Sequence, residues 1–217
     1  MRYRFQTREI GEFDIHFRTL RDRQQFEDVN NVAESMGVSP ASWPMFGVVW
    51  QAGEVLAQLM AVYDIDSRRI LEVGCGVGLA SLVLNRRHAN ISATDFHPSA
   101  QQHLDYNTDL NGDPRIPFLR SDWRDTQDPG FGLFDVIIGS DVIFEPDHTE
   151  ILVNFIEQHA KPRCEFVLVE AGRGYMPELS RRMAELEFQH EQLEHIAPFT
   201  NGDSYRGKIH RFRRGFS

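Results

Sequence analysis

The chain has 217 residues, 41% hydrophobic and 25% charged, enough to bury the core of one domain and without the bias of a disordered or fibrous sequence. Its 23 basic and 32 acidic residues give a net charge of −9, so the molecule as a whole repels a phosphate backbone and nucleic acid is not the expected partner. Two cysteines, Cys75 and Cys164, offer no disulfide framework and no metal-ligand spacing, and no run of about 18 apolar residues is present to cross a membrane. With no export signal behind Met1, the expected location is a reducing cytoplasm, and no metal is expected.

Residues 2 to 20 alternate in polarity and turn at Gly11, which predicts a β-hairpin serving as an edge or lid element. Residues 21 to 46 are polar and then turn-rich around Ser39-Pro-Ala-Ser-Trp43-Pro. Residues 1–46 are therefore expected as an N-terminal hairpin and connecting segment, with the main domain over 47–217. A helix is predicted from Gly53 to Tyr63, where Val55, Leu56, Leu59 and Met60 fall at helical spacing.

From Arg69 strands and helices alternate. The predicted order is strand Ile70–Val73, helix Leu79–Arg87, strand Ile91–Thr94, helix Ser99–Leu110 and strand Ile116–Leu119. It continues with strand Phe134–Gly139, helix Thr149–His159, strand Glu165–Val169 and helix Pro177–Leu186. Two strands close the chain, near Gln189–Ile196 and Lys208–Arg213, joined by the turn-like Thr200-Asn-Gly-Asp203. The basic tail from Lys208 to Arg214 alternates with Ile209, His210 and Phe212 and reads as a strand with one solvated face. Continuous apolar strands alternating with helices predict an α/β fold: a doubly wound, mostly parallel seven-stranded sheet covered on both faces, with an antiparallel hairpin at one edge.

Gly74, Gly76 and Gly78 follow a strand and open a helix, where a doubly wound fold lets a ligand approach backbone amides. A dinucleotide fingerprint would place a glycine at 79, which here is Leu79. Glu72, just ahead of the loop, would repel a pyrophosphate and attract a cation, and S-adenosylmethionine carries both a sulfonium and an ammonium. A strand-end acid bonded to nearby backbone amides is the structural alternative for Glu72. Asp95, at the end of the next strand, can accept hydrogen bonds from a ribose diol, and the third strand ends in Ser121-Asp122-Trp123. Asp122 offers an acceptor for an adenine amino group and Trp123 an aromatic wall.

Together these segments resemble class I methyltransferases, and more narrowly the seven-strand family of protein lysine methyltransferases, whose bacterial relatives are often labelled predicted nicotinamide N-methyltransferases. The resemblance runs from about Phe46 to Val169. It rests on Val49-Trp50-Gln51-Ala52-Gly53, Leu71 to Leu79, Thr94-Asp95, Asn107, Asn111, Asp122-Trp123, and Phe134 to Phe144. It implies S-adenosylmethionine as cofactor, Trp50 and Ser140 in the cofactor pocket, and an acid-x-x-aromatic segment, here Asp141-Val-Ile-Phe144, on the acceptor side. Asp141 would orient an incoming amine or take up its proton through water, while Phe144 would stack on the developing cation. Phenylalanine at 144, where the family also uses tyrosine, leaves no hydroxyl for the incoming nitrogen. His97 and His148 are assigned no role.

The implied activity is N-methyl transfer to a lysine side chain of a protein substrate. The alternatives are a small-molecule N-methyltransferase, with the hairpin and residues 21 to 46 closing over the pocket, or a catalytically silent cofactor-binding module.

Overall fold

A computed structural model describes residues 2–21, 32–35, 46–125, 130–194 and 205–216. The elements in chain order are β1 (Tyr3–Ile10), β2 (Phe13–Leu20), α1 (Val32–Ser35), α2 (Gln51–Val62), β3 (Arg69–Val73), α3 (Leu79–Arg86), β4 (Asn90–Asp95) and α4 (Ala100–Asn111). They continue with β5 (Phe118–Arg120), β6 (Phe134–Ser140), α5 (His148–His159), β7 (Ala160–Glu170), α6 (Met176–Glu185), β8 (Gln189–Leu193) and β9 (Lys208–Arg214). No helix among the described residues is long and apolar enough to cross a membrane.

β3 to β9 form one seven-stranded sheet in the order β5-β4-β3-β6-β7-β9-β8. The first five of these positions pair in parallel, and β9 runs antiparallel to both β7 and β8. The chain winds outward from β3 through β4 to β5, then returns to β6 on the other flank of β3. That reversal opens a crevice at the carboxyl ends of β3 and β6, where open α/β sheets bind ligands.

The period of two along each strand sorts the core into two layers. Ile70, Val136, Ile138, Val167 and Val169 pack with α2 and α3, while Leu71, Val73, Ile137, Phe166 and Leu168 pack with α5 and α6. Both faces are covered, as the apolar strands require.

The N-terminal hairpin turns at Gly11 as expected but does not join the seven-stranded sheet. It is a separate two-stranded sheet whose Ile15 and Phe17 enter the α2/α3 layer. Two asparagines of α4 then bond the backbone of β2. Asn107 Oδ1 accepts Arg18 N–H at 2.9 Å, Asn111 Oδ1 accepts His16 N–H at 2.9 Å, and Asn111 Nδ2 donates to His16 O at 2.6 Å. No described hairpin residue lines the crevice.

Several boundaries shift for physical reasons. β5 begins at Phe118 rather than Ile116, because Pro117 has no N–H for the ladder and serves it only as an acceptor, taking Ala93 N–H at 2.9 Å. β7 begins at Ala160 rather than Glu165, since pairing Phe134 with Ala160 across a register irregularity carries the polar Lys161 to Arg163 into the strand. β8 stops at Leu193, and the turn Thr200 to Asp203 lies outside the described residues, as does Trp43.

Candidate functional site

The carboxyl ends of β3, β4, β5 and β6 converge on one cavity of about 300 Å³, the lower end of the ordinary range for small-molecule sites. Every residue assigned from the sequence to the cofactor or the acceptor lies on its wall. Trp50 and Ser140 stand on one flank, Glu72, Gly74, Gly76 and Gly78 along the floor, Asp95, Asp122 and Trp123 on the other flank, and Asp141 and Phe144 at the β6 end.

Two of the floor glycines have different tasks. Gly78 sits at φ +78° as the N-cap of α3, and a Cβ there would collide with buried Leu104 Cδ1. Gly76, at φ +53°, would meet no protein atom within 4 Å, so its bare Cα faces open space in which a ligand can lie against the backbone. Asp95 holds this loop: its Oδ2 accepts Gly76 N–H at 2.8 Å and its Oδ1 accepts His97 N–H at 2.8 Å.

Glu72 points from β3 toward α3, and its Oε2 accepts both the N–H of Ser81, at 2.8 Å, and the Ser81 hydroxyl. It thereby caps a helix whose own N-cap has no side chain. The structural alternative for Glu72 is thus observed, and one oxygen serves the helix while the residue still lines the cavity. Burial pushes the Glu72 carboxyl up to about 7, opposed by the Ser81 bonds and reinforced by Asp95, whose own carboxyl burial also raises. Two acids held together on a protein wall favour a cationic ligand.

The β4 and β5 side of the cavity is aromatic. Trp123 lies 6.1 Å from Phe155 and edge-on to His148, while Phe46 stacks on His97 at 3.7 Å with 7° between planes. Asp122 uses Oδ1 to accept Arg124 N–H at 3.0 Å, which closes the turn after β5.

At the β6 end, Asp141 adopts φ +51°, a left-handed conformation uncommon outside glycine. It is held by its own N–H donating to Val169 O at 2.8 Å and by Oδ1 accepting Ala171 N–H at 2.9 Å. Burial raises its carboxyl, which Ala171 and Arg173 oppose. Phe144 packs edge-on against His148, centroids 4.3 Å apart.

His148, Phe46 and Arg173 also line the cavity, and none was assigned a role from the sequence. The available signals were the place of His148 four residues past Phe144 and a charge, Arg173, just beyond an apolar strand. Glu145, Asp147 and His148 each bring a ligand-type atom within 4.8 Å of the others, but Asp147 is bonded by Arg124 at 3.1 Å and the group forms an ion-paired rim.

The sequence profile of the family described as lysine methyltransferase matches residues 41–189, more than half of the chain. The chain belongs to the lysine methyltransferase family. It is 25% identical over 170 residues to the Danio rerio protein N-lysine methyltransferase METTL21A, covering 71% of this chain and 77% of that protein. It is 30% identical over 121 residues to the Bos taurus protein-lysine methyltransferase METTL21E, covering 50% of this chain and 41% of the relative. The chain spans about half the length of the first curated relatives it matches.

Among solved structures, the T. thermophilus 16S rRNA N2 G1207 methyltransferase, in complex with AdoMet and guanosine, superposes with a TM-score of 0.65. It is 19% identical, over 98% of this chain and 50% of that one, a likeness that shows the fold. As a class I member of the lysine methyltransferase family, the chain takes S-adenosylmethionine as its cofactor. The residues present fit it: the acid pair Glu72 and Asp95 would face its cations, Gly76 leaves open space at the backbone, and Asp95, Asp122 and Trp123 are placed where they would meet the adenosine.

Proposed function

We propose that this chain transfers the methyl group of S-adenosylmethionine to a lysine side-chain amine of a protein. The observation that carries this reading is the Asp141-Val-Ile-Phe144 segment at the cavity's β6 end, an anchored acid beside an aromatic face. The bound cofactor supplies an electrophilic methyl on a positively charged sulfur. An amine attacks only when neutral, and a free lysine has a pKa of about 10.4, so the site must favour the deprotonated form.

Asp141 supports that requirement. Ala171 fixes Oδ1, which leaves Oδ2 to accept from the amine, and burial raises the affinity of Asp141 for a proton above that of an ordinary carboxylate. As the nitrogen lone pair forms the new bond to carbon, the methyl–sulfur bond would break with its electron pair left on sulfur, and the methylammonium so formed would then pass a proton toward Asp141. Phe144 offers its face to the cationic product, and its hold on His148 keeps the ring upright. Both cysteines are buried and free, which supports a reducing cytoplasm as the working compartment.

Tritiated S-adenosylmethionine with a lysate of the host provides the test. A labelled, protease-sensitive band whose hydrolysate contains methyl-lysine is the expected result. Label confined to small molecules would overturn the protein-lysine reading and favour a small-molecule acceptor.

A further inference from the structure

A line of polar side chains behind Asp141 has no part in the reading above. Glu170, buried at the end of β7, closes onto the loop that follows it: Oε2 accepts Gly172 N–H at 2.6 Å and Arg173 N–H at 3.3 Å. Ala171, inside that loop, donates to Asp141 Oδ1 at 2.9 Å, and Arg173 reaches the cavity wall. One carboxylate thus shapes the short segment that grips the other.

Glu170 is itself held from β9. His210 Nε2 lies 3.3 Å from Glu170 Oε1, His210 Nδ1 lies 2.9 Å from His190 Nε2, and His190 Nδ1 lies 3.0 Å from Ser180 Oγ. A carboxylate only accepts, so His210 donates from Nε2 and accepts at Nδ1, which in turn makes His190 the donor from Nε2. Ser180 then donates its hydroxyl to His190 Nδ1. Burial lowers the pKa of both histidines, consistent with neutral rings passing hydrogen bonds in one direction from α6 to the end of β7.

We propose that Glu170, oriented by His210, is a positioning residue for Asp141: it fixes the Ala171–Arg173 backbone that holds the Asp141 carboxylate toward the acceptor amine. This rests on the proposed role of Asp141 as the acceptor-side acid. The left-handed backbone of Asp141 strengthens the case, because a strained conformation persists only where its surroundings hold it. Two hydrogen bonds do so here, to Val169 O and from Ala171 N, and both partners flank Glu170.

A double-mutant cycle tests it, with tritiated S-adenosylmethionine and host lysate as the acceptor pool and calorimetric titration of S-adenosylhomocysteine as the control on the cofactor site. Glu170→Ala should slow labelling about tenfold while S-adenosylhomocysteine affinity stays within about threefold. In an Asp141→Asn background the same change should alter the rate less than about twofold, because Glu170 acts through Asp141. Glu170→Gln, which keeps an oxygen for Gly172 and Arg173, should recover most of the rate.

Additive losses, or a fall in S-adenosylhomocysteine affinity as large as the fall in rate, would overturn the positioning role. If Glu170→Ala does not fold, His210→Phe takes its place, with the same non-additivity expected and the same additivity overturning. Wild-type protein that labels no protein at all removes the lysine reading and this proposal with it, whereas normal labelling by Glu170→Ala removes this proposal alone.

Discussion

Glu72 in β3 accepts both donors of Ser81 in α3 on a single oxygen, so a side chain facing the cofactor crevice also caps the helix behind it. Ser81→Ala removes the hydroxyl and leaves a buried carboxylate oxygen with one donor. The expected cost is about 1–3 kcal/mol, read as a fall of several degrees in the melting temperature. An unchanged melt would show that the hydroxyl bond contributes nothing.

The same carboxylate gives a pH dependence of definite sign. Its pKa rises from 4.5 unfolded to about 7 in the fold. Between those values the unfolded chain has released the proton that the native state keeps, so the Glu72 contribution to stability declines across that window and is level above it. The decline amounts to about 3 kcal/mol. Cofactor binding runs the other way, since a cationic ligand favours the ionised acid. Affinity for S-adenosylmethionine should strengthen roughly tenfold from pH 6 to pH 8, the ratio of ionised Glu72 at the two values. Glu72→Gln should flatten the profile in calorimetric titrations, and a wild-type profile already flat would remove Glu72 from cofactor recognition.

The parts of the site legible in the sequence are those governed by local chain geometry. Glycine spacing, the acid ending β4 and the aromatic after β5 all act within a few residues of a strand end, and periodicity locates those ends. Glu72 was half legible: its two readings stood as alternatives until the structure showed that one carboxylate oxygen suffices for the helix. Glu170 was not legible at all, because its partner His210 lies 40 positions away on an antiparallel strand. Asp141 could be placed by motif, but its left-handed backbone depends on Val169 of β7 and on Ala171 in the loop after it, which the sheet brings alongside from some 30 positions away. The extension of β7 back to Ala160 was hidden because Lys161 and Arg163 carry no strand pattern.

Asn107 explains why a residue far from the loop belongs with it. Its Oδ1 takes Arg18 N–H while its Nδ2 donates to Val77 O at 3.2 Å, inside the glycine loop. Hairpin and cofactor floor therefore share one buried side chain. Asn107→Ala leaves backbone groups on both unpaired, with an expected cost of about 1–3 kcal/mol. Limited proteolysis should cut the hairpin faster, and affinity for S-adenosylhomocysteine should fall with it. Faster cleavage at unchanged affinity would mean that the loop keeps its shape without Asn107.

Gly76 and Gly78 separate folding from binding. Alanine at either must adopt a left-handed backbone, at a cost of roughly 1–2 kcal/mol. Gly78→Ala adds a collision with buried Leu104, whereas Gly76→Ala meets no protein atom within 4 Å and places its methyl in the space left for the cofactor. Gly78→Ala should therefore show the larger fall in melting temperature. Gly76→Ala should keep most of its stability and lose the larger share of S-adenosylhomocysteine affinity, by tenfold or more on the order of a displaced close contact. The reverse ranking in calorimetry would place the cofactor away from the Gly76 floor, and with it the assignment of Asp95, which holds that floor through the Gly76 N–H, as a ribose ligand would fall.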